Sequence, residues 1–146
     1  MRSSENRILT THAGSLPRPK ALAQMLGRKS RHESVDDAAL EQMIAESTRH
    51  VIERQLQAGI DLGNNGEQSR ESFFTYVQHR MSGFSGASKR PFMSDLIRYP
   101  GFLAFKAPAL ANMQVDLMHA PKATGEIHYN GTKAVRKECD DFHRAL

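Results

Sequence analysis

A helical stripe that runs straight into an apolar triplet and then into a polar turn constrains this chain more than any other feature. Leu40, Ile44, Ser47, Val51 and Ala58 recur at helical spacing. They follow Ser34-Val35-Asp36-Asp37, a hydroxyl with an acid three residues on, the pattern that caps a helix start. The spacing predicts a helix over residues 36–58, ended by Gly59. Ile60-Asp61-Leu62 follows at once and breaks into Gly63-Asn64-Asn65-Gly66-Glu67, which predicts a short strand over 60–64. Upstream, Ile8 and Leu9 predict a strand over 7–10 that runs into "TTHAGSLPRP", residues 10–19. Strand, long helix and strand, both strands with polar ends, is the βαβ unit of a parallel sheet.

The rest of the chain extends the pattern. Phe73, Val77 and Met81 recur every four residues and predict a helix over 70–81, stopped by Gly83. Residues 91–121 contain Pro91, Pro100, Pro108 and Pro121, and are read as loop with one short helix near 93–98. A third strand is predicted over 123–129, parallel to the others, followed by an Asn130-Gly131 turn and a last helix capped by Thr132. Val135, Cys139, Phe142 and Leu146 fall on one face of that helix, which makes Cys139 a buried structural thiol. Three strand-helix units leave an open edge, and parallel sheets require helices on both faces or closure into a barrel. Residues 1–146 are therefore expected to form the first part of a larger α/β domain. Ile127 and Phe142 would lack later neighbours, so self-association is expected.

Composition narrows the function classes. A chain of 146 residues with 39% hydrophobic content suffices for one domain with a core. No apolar run approaches the roughly 20 residues that span a bilayer, and the N-terminus lacks the apolar block of a signal peptide. Cys139, the single cysteine, excludes an intrachain disulfide and a multi-cysteine zinc site, and fits a reducing, cytoplasmic setting. The net charge of +4 invites a nucleic-acid reading, but Lys and Arg cluster only at Arg28, Lys29 and Arg31. Elsewhere they are interleaved with acids, and Gly83-Phe84-Ser85-Gly86 is too common a spacing to mark a backbone-clamping loop. Neither a nucleic-acid nor a membrane partner is expected.

In parallel α/β folds ligands sit at the carboxyl ends of the strands. Both polar turns fall there. Gly14 lets the backbone approach a ligand, and Ser15 offers an N–H and a hydroxyl to a carboxylate or phosphate. Glu67, after the second strand, is suited to an ammonium group. Taken singly, a Gly-Ser pair is an ordinary turn and a loop glutamate is ordinarily solvated. Together, at adjacent strand ends, they describe a site for an amino acid.

"TTHAGSLPRP", then "RQLQAGIDLGNNGEQSRESFFTYVQHRMSGFSG", then "GEIHYNGTKAV" resembles the start of the catalytic barrel of cobalamin-independent methionine synthase, above all its short, single-barrel members. The resemblance implies three strand-helix units of an incomplete TIM (β/α)8 barrel. It implies transfer of a methyl group from a methylated folate or other donor to the thiol of homocysteine. Ala13, Gly14 and Ser15 match the turn that binds the homocysteine carboxylate end, and Glu67 matches the acid that contacts its amino group. His12 stands where full-length synthases often have Thr and short ones commonly have His, which implies a substrate-binding role for it as well. The family's zinc ligands, a His-x-Cys pair, a Glu and a further Cys, lie on later strands. None is matched here, since none of the seven histidines forms His-x-Cys with Cys139. The expected partners are therefore homocysteine or a similar small thiol, a methyl donor, and a second copy or a complementary chain. The related transfer of an epoxide-derived alkyl group to coenzyme M, and a non-catalytic barrel remnant acting as an interaction module, are the alternatives. Glu67 favours an amino acid over a sulfonate, which has no ammonium to pair with it.

Overall fold

A computed structural model describes residues 3–73, 75–86, 94–111 and 121–146. The described residues are mainly helical with few strands. The helices are α1 (Lys20–Ser30), α2 (Asp37–Gln57), α3 (Ser94–Ile97), α4 (Pro100–Ala111) and α5 (Thr132–Ala145), and β1 (Phe84–Ser85) and β2 (Lys122–Ala123) form a small sheet.

The α2 helix has the bounds its sequence predicts, because both ends are written into it. Its cap is Asp36 rather than Ser34: the Asp36 carboxylate accepts from the Ala38 and Ala39 N–H groups at 3.0 and 3.1 Å. At the far end Gly59 takes a left-handed φ of 73°. Its N–H reaches the Leu56 carbonyl and the Ile60 N–H reaches the Gln55 carbonyl, the paired bonds of a glycine-terminated helix. Leu40, Ser47 and Val51 of the predicted stripe are buried, while Ala58 lies exposed just past the helix end.

The α1 helix is absent from the sequence reading, which placed Pro17 and Pro19 in the polar turn after the first strand and assigned no element to residues 20–30. Pro19 instead sits extended at the helix entrance, where a missing N–H costs nothing, and its carbonyl accepts from Ala23. Leu22 and Leu26 then project onto α2 and pack with Leu40, edged by Met25, Val35, Met43 and Ile44. Leu22 is fully buried. Leu22→Ala is expected to destabilise the fold by about 3 kcal/mol, read from the midpoint of urea unfolding at unchanged slope. In the same region the basic patch is neutralised, because Glu33 pairs with Arg28 and Arg31, and Asp37 pairs with Lys29.

The first two predicted strands meet in parallel. The Thr10 carbonyl accepts from the N–H groups of Asp61 and Leu62, and Thr11 bridges Leu62. The pairing is one bridge long, and Ile8 stays 85% exposed. It is secured by Asp61, whose carboxylate accepts from Arg7, from the Thr10 N–H at 2.9 Å and from the Thr10 hydroxyl at 3.1 Å. The hydrogen bonds from Arg7 and Thr10 hold the Asp61 carboxyl well below the usual carboxylate range.

Six expectations are corrected. The third strand is neither parallel nor seven residues long: β2 pairs antiparallel with β1, Phe84 opposite Ala123, and Tyr129 bridges Met81 in the same sense. Residues 80–86 supply a nearby antiparallel partner, and Gly83 permits the close pass, since a Cβ there would lie 2.4 Å from the Glu126 carbonyl oxygen. The helix expected over 70–81 is a 3-10 turn at Thr75–His79, with Phe73 exposed, so polar contacts of this stretch outweigh its sparse apolar spacing. Residues 91–121 hold not only α3, within the expected 93–98, but also α4, with Pro100 in its first position, where proline is tolerated. Residues 91–93 and 112–120 of that expectation lie outside the described residues. Finally, Gly131 rather than Thr132 occupies the α5 cap position, and Cys139 is exposed, because α5 buries no residue fully. Ile127, expected to face a core, is half exposed.

Candidate functional site

The turns after the two parallel segments lie against each other. The Leu16 N–H donates to the Gly66 carbonyl at 3.0 Å, and the Ser15 hydroxyl donates to Glu67 Oε2 at 2.6 Å. Ser15 was expected to offer its hydroxyl to a ligand carboxylate. In the structure that proton is held by Glu67, so the hydroxyl oxygen presents its lone pairs beside the glutamate carboxylate. Two acceptors thus converge on one point, an arrangement suited to a cation with several N–H donors.

Ala13, Gly14 and Ser15 are exposed, with Gly14 at a φ of 90°. Among the described residues their N–H groups donate to no acceptor, which leaves three successive amides for an anion. His12 does not face outward in the same way. Its Nε2 lies 3.1 Å from the Gly14 carbonyl oxygen and its own carbonyl accepts from Asn64 Nδ2 at 2.6 Å, so the imidazole closes the turn.

Glu67 is one of two non-glycine residues described with a left-handed backbone, at a φ of 56°. Such a conformation persists where neighbours enforce it. Here Asn65 Oδ1 accepts from the Glu67 N–H at 3.0 Å, and Arg18 Nη2 and the Arg70 N–H donate to the Glu67 carbonyl at 2.6 and 3.1 Å. The turn below is fixed to α2 through Gln55, whose amide exchanges hydrogen bonds with the Asn64 backbone, and is closed on itself by Asn64 Oδ1, which accepts from the Gly66 N–H. Gly66 is required for contact, as a Cβ on it would meet Leu16 Cβ at 2.8 Å.

Arg18, Asn64 and Gln68 are functional neighbours that the sequence reading missed. Their partners lie about fifty positions away in the chain, and only the polar density of Asn64-Asn65-Gly66-Glu67-Gln68 hinted at them. Burial pulls the Arg18 guanidinium below its ordinary value, and the negative charges of Glu67 and Glu71 act in the opposite sense. Arg18 thereby connects the site to a second acid. Burial alone would push the Glu71 carboxyl up, but the His79 hydrogen bond at 2.9 Å and its charge carry it below the ordinary value.

The Glu71 hydrogen bond raises the His79 imidazole, against burial and the Lys29 charge. A raised folded-state value means that His79 stabilises the fold fully below its unfolded pKa, with that contribution lost as pH rises through the folded one. Glu71, depressed, contributes above the ordinary carboxylate range and loses its contribution on acidification. The pair therefore acts between roughly pH 5 and 6.5. The melting temperature is expected to fall between pH 6 and pH 8, and His79→Gln to flatten that change.

Residues 8–116, well over half of the chain, match the family described as cobalamin-independent synthase, catalytic domain, and the chain belongs to that family. It is also similar to a methionine synthase of Sulfolobus acidocaldarius, 36% identical over 83 residues. That match covers 56% of this chain and 24% of the relative, so the chain spans well under half of the relative's length. The matched family range contains both turns of the site.

No group of three His, Cys, Asp or Glu side chains converges among the described residues in the way a metal ion requires. The residues described here therefore do not form the ligand set that the family's zinc requires. Among the described residues no helix is long and apolar enough to cross a membrane.

Proposed function

We propose that this chain binds the amino-acid end of homocysteine for methyl transfer to its thiol, in the methionine-forming reaction. The observation that carries the reading is the Ser15–Glu67 contact at 2.6 Å, beside three exposed amides at Ala13, Gly14 and Ser15. Glu67 and the Ser15 oxygen accept from the ammonium, and the amides donate to the carboxylate. That leaves the side chain, with its thiol, to project toward the mouth of the strands. In the reaction a sulfur–carbon bond forms as the donor's bond to the methyl group breaks, and the thiol proton leaves to solvent or a base. A methylated folate is the donor that the family membership favours.

In this reading the residues described here bind and orient. Residues 1–146 supply the first strand-helix units of a (β/α)8 barrel, and zinc ligands come from later strands of the same domain, on this chain or a complementary one. The parallel Thr11–Leu62 bridge supports the barrel origin, and the exposed Ile8 and Leu62 at that edge support association with further strands.

Titration of L-homocysteine into the isotopically labelled chain tests the head-group reading. The amide signals of Gly14, Ser15 and Glu67 are expected to shift with saturation. Coenzyme M, a thiol with a sulfonate and no ammonium, is expected to leave them in place. Equal responses to both thiols would contradict the assignment and favour the coenzyme M alternative.

A further inference from the structure

Gln68 is the most completely buried polar side chain described, with no exposed surface, and its amide is fully used. Its Oε1 accepts from the Ser47 hydroxyl of α2 at 2.7 Å. Its Nε2 donates to the Leu16 carbonyl at 3.0 Å and to the Gly66 carbonyl at 3.2 Å. Leu16 follows Ser15, and Gly66 precedes Glu67. One side chain therefore joins the residues adjoining both halves of the ammonium site, and anchors them to the long helix.

We infer that Gln68 is a positioning residue that fixes the separation of Ser15 and Glu67, an inference that rests on the reading of those two as the ammonium site. Buried from solvent, it touches no ligand and acts through its neighbours. The chemistry demands an amide at this length. A carboxylate would keep the acceptor for Ser47 yet face two carbonyl oxygens with no proton to give. An apolar side chain of the same length would fill the space, leave the Leu16 carbonyl without the Gln68 donor and leave the Gly66 carbonyl with only the Leu16 N–H. The Leu16 N–H to Gly66 carbonyl bond is then the one backbone-to-backbone tie described between Leu16 and the Glu67 turn, and it holds the spacing against the strained Glu67 backbone with less support.

The test uses the full chain and L-homocysteine as probe. In Gln68→Met the Leu16 amide is expected to exchange with solvent roughly tenfold faster and homocysteine to bind roughly tenfold more weakly, as unpairing of buried acceptors implies. The Ile60 amide, bonded to the Gln55 carbonyl at the end of α2 and outside the cross-turn bonds, opens locally and is expected to exchange at its original rate. Ser47→Ala, which spares both cross-turn donors, is expected to move Leu16 exchange far less. Equal acceleration at Leu16 and Ile60, or none at Leu16, would overturn the proposal. Should Gln68→Met not fold, the wild-type side-chain amide protons decide: slow exchange with through-space contacts to Leu16 and Gly66 supports it, and rapid exchange overturns it. If wild type binds no homocysteine while Leu16 alone exchanges faster in the variant, the ammonium reading fails and the positioning role stands.

Discussion

Glu67→Gln is expected to raise the homocysteine requirement well over tenfold in a catalytic domain built by joining residues 1–146 to the remainder of a relative's barrel. The amide keeps the shape of the carboxylate and a hydrogen-bond acceptor, but it removes the charge that pairs with the ammonium. Losing one partner of a desolvated charge pair costs about 2 to 5 kcal/mol, and Glu67 is half-buried, so the lower part of that range applies. Ser15→Ala is expected to be milder. It removes the hydroxyl that contacts Glu67 and leaves the Ser15 N–H in place. Steady-state kinetics against homocysteine separates the two, with the effect in KM if both residues bind the ground state and transition state alike. Equal kinetics with and without the Glu67 carboxylate, in a folded domain that forms methionine, would return the turn to a structural role.

Glu138→Ala is expected to destabilise the fold as much as Leu22→Ala does. Glu138 projects from α5 into a cluster of four donors: Arg80 Nη2 at 2.9 Å, Arg70 Nη2 at 3.1 Å, the Tyr76 hydroxyl at 2.5 Å and the Ser69 hydroxyl at 3.2 Å. Both guanidinium groups also lie over the Tyr76 ring, within 4.8 Å of its centre. The Glu138 side chain is 19% exposed and that of Arg80 9%, so solvent screens the pairs weakly. Removing the carboxylate leaves charged groups without their counter-ion, which costs about 3 kcal/mol for a pair this buried. No fully buried apolar side chain on α5 offsets the loss. The melting temperature is expected to drop by roughly 10 °C, with amides of α5 losing protection first. Unchanged melting would show that α5 is held by its other contacts to α2.

What the sequence made legible were features whose cause is local. The Asp36 cap and the Gly59 termination need only nearby residues, so α2 emerges with its bounds correct to one residue. The polar strand ends were visible for the same reason, since Gly14, Gly66 and the acids around them have few other uses in a short stretch. Features set by distant partners were hidden. Lys20–Ser30, behind two prolines, drew no element from the sequence, and its packing emerges only when α2 offers Leu40 to Leu22 and Leu26. Residues 123–129 read as a third parallel strand because their antiparallel partner, 80–86, carries no strand pattern of its own.

The site shows the same division. That the turns carrying Ser15 and Glu67 lie side by side was readable, but Arg18, Asn64 and Gln68 and the direction of the Ser15 hydroxyl were not, because only the folded geometry places Glu67 Oε2 at 2.6 Å. Cys139 illustrates the converse error. It lies on a helical stripe with Val135, Phe142 and Leu146, yet a stripe becomes a core only where another element covers it. Nothing described covers Cys139.

The most direct test of the central claim is the structure of this chain with L-homocysteine bound. The ligand nitrogen is expected about 3 Å from a Glu67 carboxylate oxygen and from Ser15 Oγ, with the ligand carboxylate on the amides of residues 13–15. The Ser15 hydroxyl then shares or releases its bond to Glu67. A ligand bound with its ammonium away from Glu67, or an empty turn at saturating homocysteine, would contradict the account.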